Sequence, residues 1–138
     1  MSDALEIANV KARYCAASDK SPTDAAAALA GFRAVFTDDV IGDYGFRVFH
    51  GFDELTGFMT TAVAGNSEWM LHMLHTPCII VDGDTATGDW TVSSQMKRRE
   101  GGQIDTVLGR YSDEFIRTDS GWKISRVNFE RLAWPCHQ

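Results

Sequence analysis

The chain has 138 residues, of which 44% are hydrophobic and 23% are charged, and its formal net charge is -6. This composition predicts one folded domain over residues 1–138 and excludes a disordered or low-complexity chain. Because 13 basic residues face 19 acidic ones, neither nucleic acid nor an anionic membrane is expected as a partner.

Cysteine usage and the N-terminal segment indicate the compartment. Cys15, Cys78 and Cys136 are too few and too widely spaced for a disulfide framework or a zinc site. Charged residues interrupt the apolar positions of residues 1–20, unlike in a signal peptide, and the apolar residues 25–30 are too few to cross a bilayer. The sequence therefore predicts a soluble cytoplasmic protein with no bound metal.

The N-terminal residues predict an amphipathic helix. Ser2 is placed to cap it, and the pattern continues to about Ser18. Ile7, Val10 and Tyr14 recur at helical spacing and fall on one face. That face is expected to lie against the rest of the domain.

Two further helices and two short strands are predicted next. Ser21-Pro22 is typical of a helix start, and Asp38-Asp39 is expected to end that second helix. Residues 40–44 and 46–50 read as short strands about a glycine. Asp53 is predicted to cap a third helix whose inward residues are Leu55, Phe58, Met59 and Ala62.

The second half predicts four long strands, at residues 69–81, 85–98, 104–117 and 122–132, separated by turn sequences. Helices followed by an antiparallel meander indicate an α+β fold with the helices on one face of a sheet.

The hairpin turns permit an estimate of strand register. If the first hairpin centres on Gly83, His72 lies opposite Ser94 on the predicted inner face, which is apolar with a few polar groups. Such a face is typical of a small-molecule pocket. Asp113 falls opposite Arg126, so these two are predicted to form a buried ion pair. The same register turns further residues inward: Met70, Leu74, Cys78, Ile80, Trp90, Met96, Tyr111, Asn128 and Glu130.

The opposite face of the first long strand is also apolar, with Leu71, Met73 and Ile79. An exposed apolar stripe on a sheet suggests a subunit interface, so a homodimer or homotrimer is expected.

Several short segments stand in an order and spacing shared with a known family: Phe36-Thr-Asp-Asp-Val40, Gly51-Phe-Asp-Glu-Leu55, Val81-Asp-Gly-Asp-Thr-Ala86, Gly109-Arg-Tyr-Ser-Asp113 and Gly121-Trp-Lys-Ile124. With the spacing from Tyr14 to Asp19 and the place of His72, they resemble the SnoaL-like group of the nuclear transport factor 2-like superfamily. The resemblance covers nearly the whole chain. It implies a cone, in which N-terminal helices close a curved antiparallel sheet around an apolar pocket.

The resemblance also implies an activity. The most similar branch includes scytalone dehydratase, bile-acid dehydratases and a hexachlorocyclohexane dehydrochlorinase, which remove a proton with an Asp–His pair and no cofactor. Asp19 and His72 match that pair, and Tyr14 could donate to a substrate oxygen. The implied protein is a cofactor-independent lyase acting on a small hydrophobic cyclic molecule such as a steroid, polyketide or aromatic-derived compound. Its substrate-binding residues are predicted to be Tyr111, Asn128, Ser94, Trp90, Met96, Phe58 and Asp43.

Two other functions remain open at this point. Asp43 resembles in position the catalytic Asp of ketosteroid isomerases, where it would shuttle a proton α to a carbonyl. A non-catalytic binding or assembly domain is the third possibility, because fold does not fix function. The chain also departs from the dehydrochlorinase pattern, with Val127 where those enzymes carry Arg, and from many members in having Thr76 in place of Asn.

Overall fold

The computed structural model describes residues 1–133, so Cys136 lies outside the described residues. The elements are, in chain order, α1 (Asp3–Lys20), α2 (Ala25–Val35), β1 (Phe36–Asp43), β2 (Val48–His50), α3 (Phe52–Phe58) with a π-helical turn (Met59–Val63), β3 (Ser67–Asp82), β4 (Thr85–Arg98), β5 (Ile104–Thr118) and β6 (Gly121–Ala133).

The strands form one six-stranded sheet in the order β2-β1-β6-β5-β4-β3. The long strands pair antiparallel as predicted, whereas β1 runs parallel to β6, which the sequence did not indicate. Helix α1 packs on α2 and on strands β3 and β6. The α+β fold with N-terminal helices on the sheet is thereby confirmed. None of the helices within residues 1–133 is long and apolar enough to cross a membrane.

The helix boundaries differ in part from the predicted ones. The Ser2 hydroxyl accepts from the Leu5 backbone N–H at 3.2 Å, which confirms the first cap. The second cap is wrong: α1 continues through Lys20, and Asp24, not Ser21, accepts from the first turn of α2. The third is also wrong, since α3 begins after Gly51 without a side-chain cap.

The predicted second helix is too long at its C-terminal end. It stops at Val35, and Phe36 begins strand β1. Phe36 pairs with Ile124 of β6 and both side chains are buried. Burial of Phe36 against the sheet therefore ends the helix before the predicted position, as tertiary context commonly does.

A β-bulge between His75 and Cys78 reverses the faces of β3 near its end. Thr76 adopts a positive φ of 48° there. Beyond the bulge, Ile79 packs against the core, while Cys78 and Ile80 are exposed. The predictions that Cys78 and Ile80 face inward, and that Ile79 joins an outer stripe, are therefore wrong.

A second irregularity lies between Glu114 and Phe115 in the pairing of β5 with β6. Because it shifts β6 by one residue, Val127 is buried and Arg126 pairs with the exposed Glu114. The Arg126 guanidinium lies 3.6 Å from the Asp43 carboxylate on the outside. The predicted buried pair of Asp113 with Arg126 is accordingly wrong.

Candidate active site

A cavity of about 740 Å³ lies between the helices and the concave face of the sheet. This volume falls in the range of small-molecule sites. Most of its walls are apolar, with contributions from α1, the α3 region and strands β3 to β6. The apolar lining residues include Phe58, Met59, Ala62, Val63, Met70, Val92, Met96, Val107 and Phe129.

An Asp–His pair lies at this cavity. His72, on β3, lines it, and the Nδ1 atom of His72 is 2.7 Å from Oδ1 of Asp19 near the end of α1. The two Asp19 oxygens also accept from the His72 backbone N–H at 3.1 and 3.3 Å. The His72 side chain is 14% exposed and the Asp19 side chain is 21% exposed. The Asp19 carboxylate thus holds both the backbone of β3 at His72 and the imidazole ring of His72.

This contact sets the chemistry of the imidazole. An ionised carboxylate only accepts hydrogen bonds, so Nδ1 of His72 carries the proton and Nε2 keeps its lone pair. If the ring takes a second proton, the Asp19 charge stabilises the imidazolium that forms. Oriented by Asp19, His72 can therefore act as a general base.

Three tyrosines meet at one end of the cavity. The hydroxyl oxygen of Tyr14 lies 2.8 Å from that of Tyr44 and 3.5 Å from that of Tyr111. All three side chains line the cavity. Burial raises the pKa of each of the three phenols above its ordinary value of 10. They are therefore neutral hydrogen-bond donors over the whole physiological range, placed where a ligand oxygen could lie.

A lysine–aspartate pair lies behind these tyrosines. Nζ of Lys11 is 2.7 Å from Oδ2 of Asp113, and both side chains are 0% exposed. Burial raises the pKa of Asp113, and the Lys11 ammonium opposes part of that shift. The backbone N–H of Asn128 donates to the other Asp113 oxygen at 3.3 Å. The pair is a buried charged contact that the sequence reasoning missed.

Other predicted binding residues divide between wall and exterior. Ser94 lies opposite His72 in the pairing of β3 with β4, as predicted, and lines the cavity with Met96 and Phe58. Trp90 is instead buried in the core against Phe115.

Asn128 and Asp43 lie away from the cavity wall. The Asn128 side chain donates to the Ser112 carbonyl at 2.8 Å and accepts from Arg126. The Asp43 carboxylate accepts from the Gly45 N–H at 3.0 Å. The bulge in β6 explains the position of Asn128, since it turns this residue to the outer face.

Sequence reasoning also missed several wall residues. Tyr44 follows β1, and in this segment only the neighbouring Asp43 was considered as a functional residue. Phe129 was assigned to the outer face because the bulge in β6 was not predicted. Arg98 and Arg131 add positive charge to the wall, and Arg98 is held by Asp105 at 2.6 Å. Within residues 1–133, no three His, Cys, Asp or Glu side chains come together in a way that could hold a metal ion.

The helices, the curved sheet and the largely apolar cavity between them define a protein of the cone-shaped α+β class. The chain belongs to the SnoaL-like domain family, whose sequence profile matches residues 1–128. An uncharacterized Mycobacterium tuberculosis protein is 32% identical over an alignment that covers the whole chain and 88% of that relative.

Solved structures agree with this membership. A Novosphingobium aromaticivorans protein, provisionally named an aromatic ring hydroxylase, has 30% identity and a TM-score of 0.82, covering 95% of this chain and 90% of that one. A nuclear transport factor 2-like superfamily protein of Salmonella enterica has 21% identity and a TM-score of 0.84, with 95% and 92% covered. A hexachlorocyclohexane dehydrochlorinase of Novosphingobium barchaimii has 18% identity and a TM-score of 0.79, with 96% and 88% covered. The last two likenesses concern the fold alone.

Proposed function

We propose that the protein is a cofactor-independent lyase in which His72 is the catalytic base. The observation that carries this proposal is the 2.7 Å contact of Asp19 with a histidine on the wall of a largely apolar cavity. A histidine that serves the core alone would be enclosed by side chains, whereas His72 borders open space. Similarity of fold to a dehydrochlorinase supports the same chemistry without establishing it.

The proposed reaction is an elimination. Nε2 of His72 takes a proton from a substrate carbon, and the electrons of that C–H bond form a carbon–carbon double bond. The leaving group on the adjacent carbon departs with the electrons of its own bond, as hydroxide in a dehydration. The imidazolium, stabilised by Asp19, can return its proton to that hydroxide and release water.

The tyrosine end has a complementary role in this proposal. A carbonyl next to the reacting carbon gains negative charge as the proton leaves, and Tyr14, Tyr44 and Tyr111 offer hydroxyl donors for that oxygen. Ser94 is a further donor on the wall, and Phe58 and Met96 contact the apolar body of the ligand. The lining therefore favours a small hydrophobic cyclic substrate with a carbonyl oxygen at the tyrosines and a leaving group on the adjacent carbon.

The isomerase alternative has less support. Its base, Asp43, bonds to the Gly45 N–H and faces Arg126 on the outside of the sheet. A His72 ring blocked by packed side chains would favour the binding-domain alternative, whereas His72 lines the cavity. Elimination by the Asp19–His72 pair is the function that the geometry supports best.

The test is a substrate screen with matched variants. Cyclic β-hydroxy ketones, including steroid and aromatic members, are incubated with the protein, and loss of water is followed by mass spectrometry. With an active compound, His72→Ala is expected to lower turnover by about 10²- to 10⁴-fold. His75→Ala, which removes an exposed histidine from the same strand, serves as the control and should retain activity. Full turnover by His72→Ala would exclude the mechanism, and saturable binding without turnover would favour the binding-domain function.

We also propose self-association through the outer face of the sheet. Leu71 and Leu108 are exposed there, on strands β3 and β5, and the half-buried Met73 lies two residues from Leu71 on β3. A homodimer or homotrimer would cover this patch. Light scattering after size exclusion should give a multiple of the 15.3 kDa chain mass, and a Leu71→Lys, Leu108→Lys double variant should shift it to the monomer. A monomeric wild-type protein would contradict the proposal.

A further inference from the structure

The buried Lys11–Asp113 pair has no part in the elimination as written, yet it lies against two of the tyrosines that face the substrate. Nζ of Lys11 is 3.4 Å from the ring centroid of Tyr111 and 3.8 Å from that of Tyr14. Both distances are well within the reach of a cation–π contact. Tyr44 has no such cation on its ring among the contacts of residues 1–133.

The local structure explains why these groups meet. Lys11 and Tyr14 are three residues apart on α1 and therefore share a helix face. Tyr111 and Asp113 are two residues apart on β5 and therefore share a strand face. Docking of α1 on the sheet brings the two faces together, with the ammonium between the two rings and the carboxylate.

We propose that Lys11 and Asp113 are positioning residues, which hold an ammonium on the faces of Tyr14 and Tyr111 so that these hydroxyls donate more strongly to a negatively charged ligand oxygen. The inference rests on the proposed function, in which the hydroxyls bind a substrate oxygen. It narrows the substrate class to molecules whose terminal oxygen gains negative charge during the reaction, such as a ketone that becomes an enolate.

The physical argument concerns the acidity of the phenol. A cation beside the ring stabilises the phenolate more than the phenol, because the phenolate ring carries negative charge. A more acidic hydroxyl is a stronger hydrogen-bond donor, and a buried donor needs no reorganisation when charge develops on the ligand. Asp113 holds the ammonium in place, because Oδ2 of this fully buried carboxylate lies 2.7 Å from Nζ of Lys11.

The chain itself supplies a probe that needs no substrate. It contains three tyrosines in all, and these are the three of the cluster. Biosynthetic replacement by 3,5-difluorotyrosine, which is far more acidic than tyrosine, gives three fluorine NMR signals and lowers the ionisation midpoints into the pH range in which the folded protein can be titrated. The signals are assigned with single Tyr→Phe variants, and the titration is kept to the range in which circular dichroism shows a folded protein.

The main variant is Lys11→Gln with Asp113→Asn, which replaces the ion pair by two amides of similar shape. Exchange of a buried pair for neutral residues is generally tolerated. Removal of the ammonium is expected to raise the midpoints of Tyr14 and Tyr111 by about one pH unit and that of Tyr44 by less. Lys11→Met with Asp113→Leu, a second neutral pair, is used if the amide variant does not fold.

The control is Lys20→Gln, which removes an exposed lysine from the same helix and should leave all three midpoints unchanged. Other ionisable groups near the cluster are Cys15 on α1 and Asp89 on β4, and neither is altered by these substitutions. Unchanged midpoints in a folded neutral variant would overturn the proposal. Equal shifts of all three tyrosines would also overturn it, because they would indicate a general loosening. Neither result depends on whether His72 catalyses an elimination.

Discussion

Two side-chain pairs with identical nitrogen–oxygen distances, each containing an aspartate, lie beside the same cavity. The Asp19–His72 contact and the Lys11–Asp113 contact both measure 2.7 Å between the nitrogen and the carboxylate oxygen. The first joins side chains that are 14% and 21% exposed, and the second joins side chains that are 0% exposed. Distance alone therefore does not distinguish a reactive pair from a structural one, and burial has to be included.

The physical difference lies in what each pair can exchange with its surroundings. His72 lines the cavity and can exchange a proton with a ligand, whereas Lys11 is enclosed by two tyrosine rings and a carboxylate. A fully buried pair loses hydration that its mutual attraction must offset, so breaking it leaves an uncompensated charge. We infer that the first pair serves chemistry and the second fixes the electrostatics of the tyrosine end.

The largest effect that separates the pairs is on stability. Lys11→Met leaves the Asp113 carboxylate buried without its cation and is expected to lower the free energy of unfolding by about 3–5 kcal/mol. Asp19→Asn, the matched change at the other pair, should cost less than about 1 kcal/mol, because the amide oxygen can still accept from His72 and the site is part-exposed. Urea unfolding at pH 7 measures both, and equal losses would remove the distinction between the pairs.

The pairing of His72 with Ser94 was predicted correctly from the sequence, because two one-residue shifts in register cancel. The first hairpin turns at Gly83 and Asp84, so its register is one residue away from a turn centred on Gly83. The bulge before Cys78 moves the register back by one, which places His72 opposite Ser94 as predicted. Between the turn and the bulge only the first shift applies, so the predicted register is wrong there. Ile80 lies in this part of β3 and was therefore assigned to the wrong face.

The other pair was not predictable in the same way. In the last hairpin the register near the turn was right, but the irregularity after Ile124 moves Arg126 away from Asp113. The cation that replaces it, Lys11, comes from a helix more than 100 residues earlier in the chain. Hydrophobic periodicity assigns a helix face toward the core, but it does not specify which strand residue lies beneath which turn of the helix. Partners across such a packing surface depend on docking that the pattern does not contain.

Burial of the three tyrosines also predicts how the free energy of unfolding changes at alkaline pH. The folded-state pKa values of Tyr14, Tyr44 and Tyr111 are raised by burial, so above about pH 10 the unfolded chain releases protons that the folded chain retains. Their contribution is complete below that pH and is lost as pH rises. Each tyrosine should steepen the fall in unfolding free energy by about 1.4 kcal/mol per pH unit.

Denaturant unfolding between pH 8 and pH 11 measures this slope. Each Tyr→Phe variant should reduce it by one tyrosine's share, whatever the variant does to stability at neutral pH. Cys15, whose pKa burial raises to about 12, acts in the same direction from about pH 9, so Cys15→Ala separates the thiol contribution. His72 belongs to the more exposed of the two pairs, and His72→Ala should leave the alkaline slope unchanged. A slope that none of the Tyr→Phe variants reduces would mean that the hydroxyls ionise as freely as in the unfolded chain, and the contrast between the buried tyrosine cluster and the more exposed His72 would then be lost.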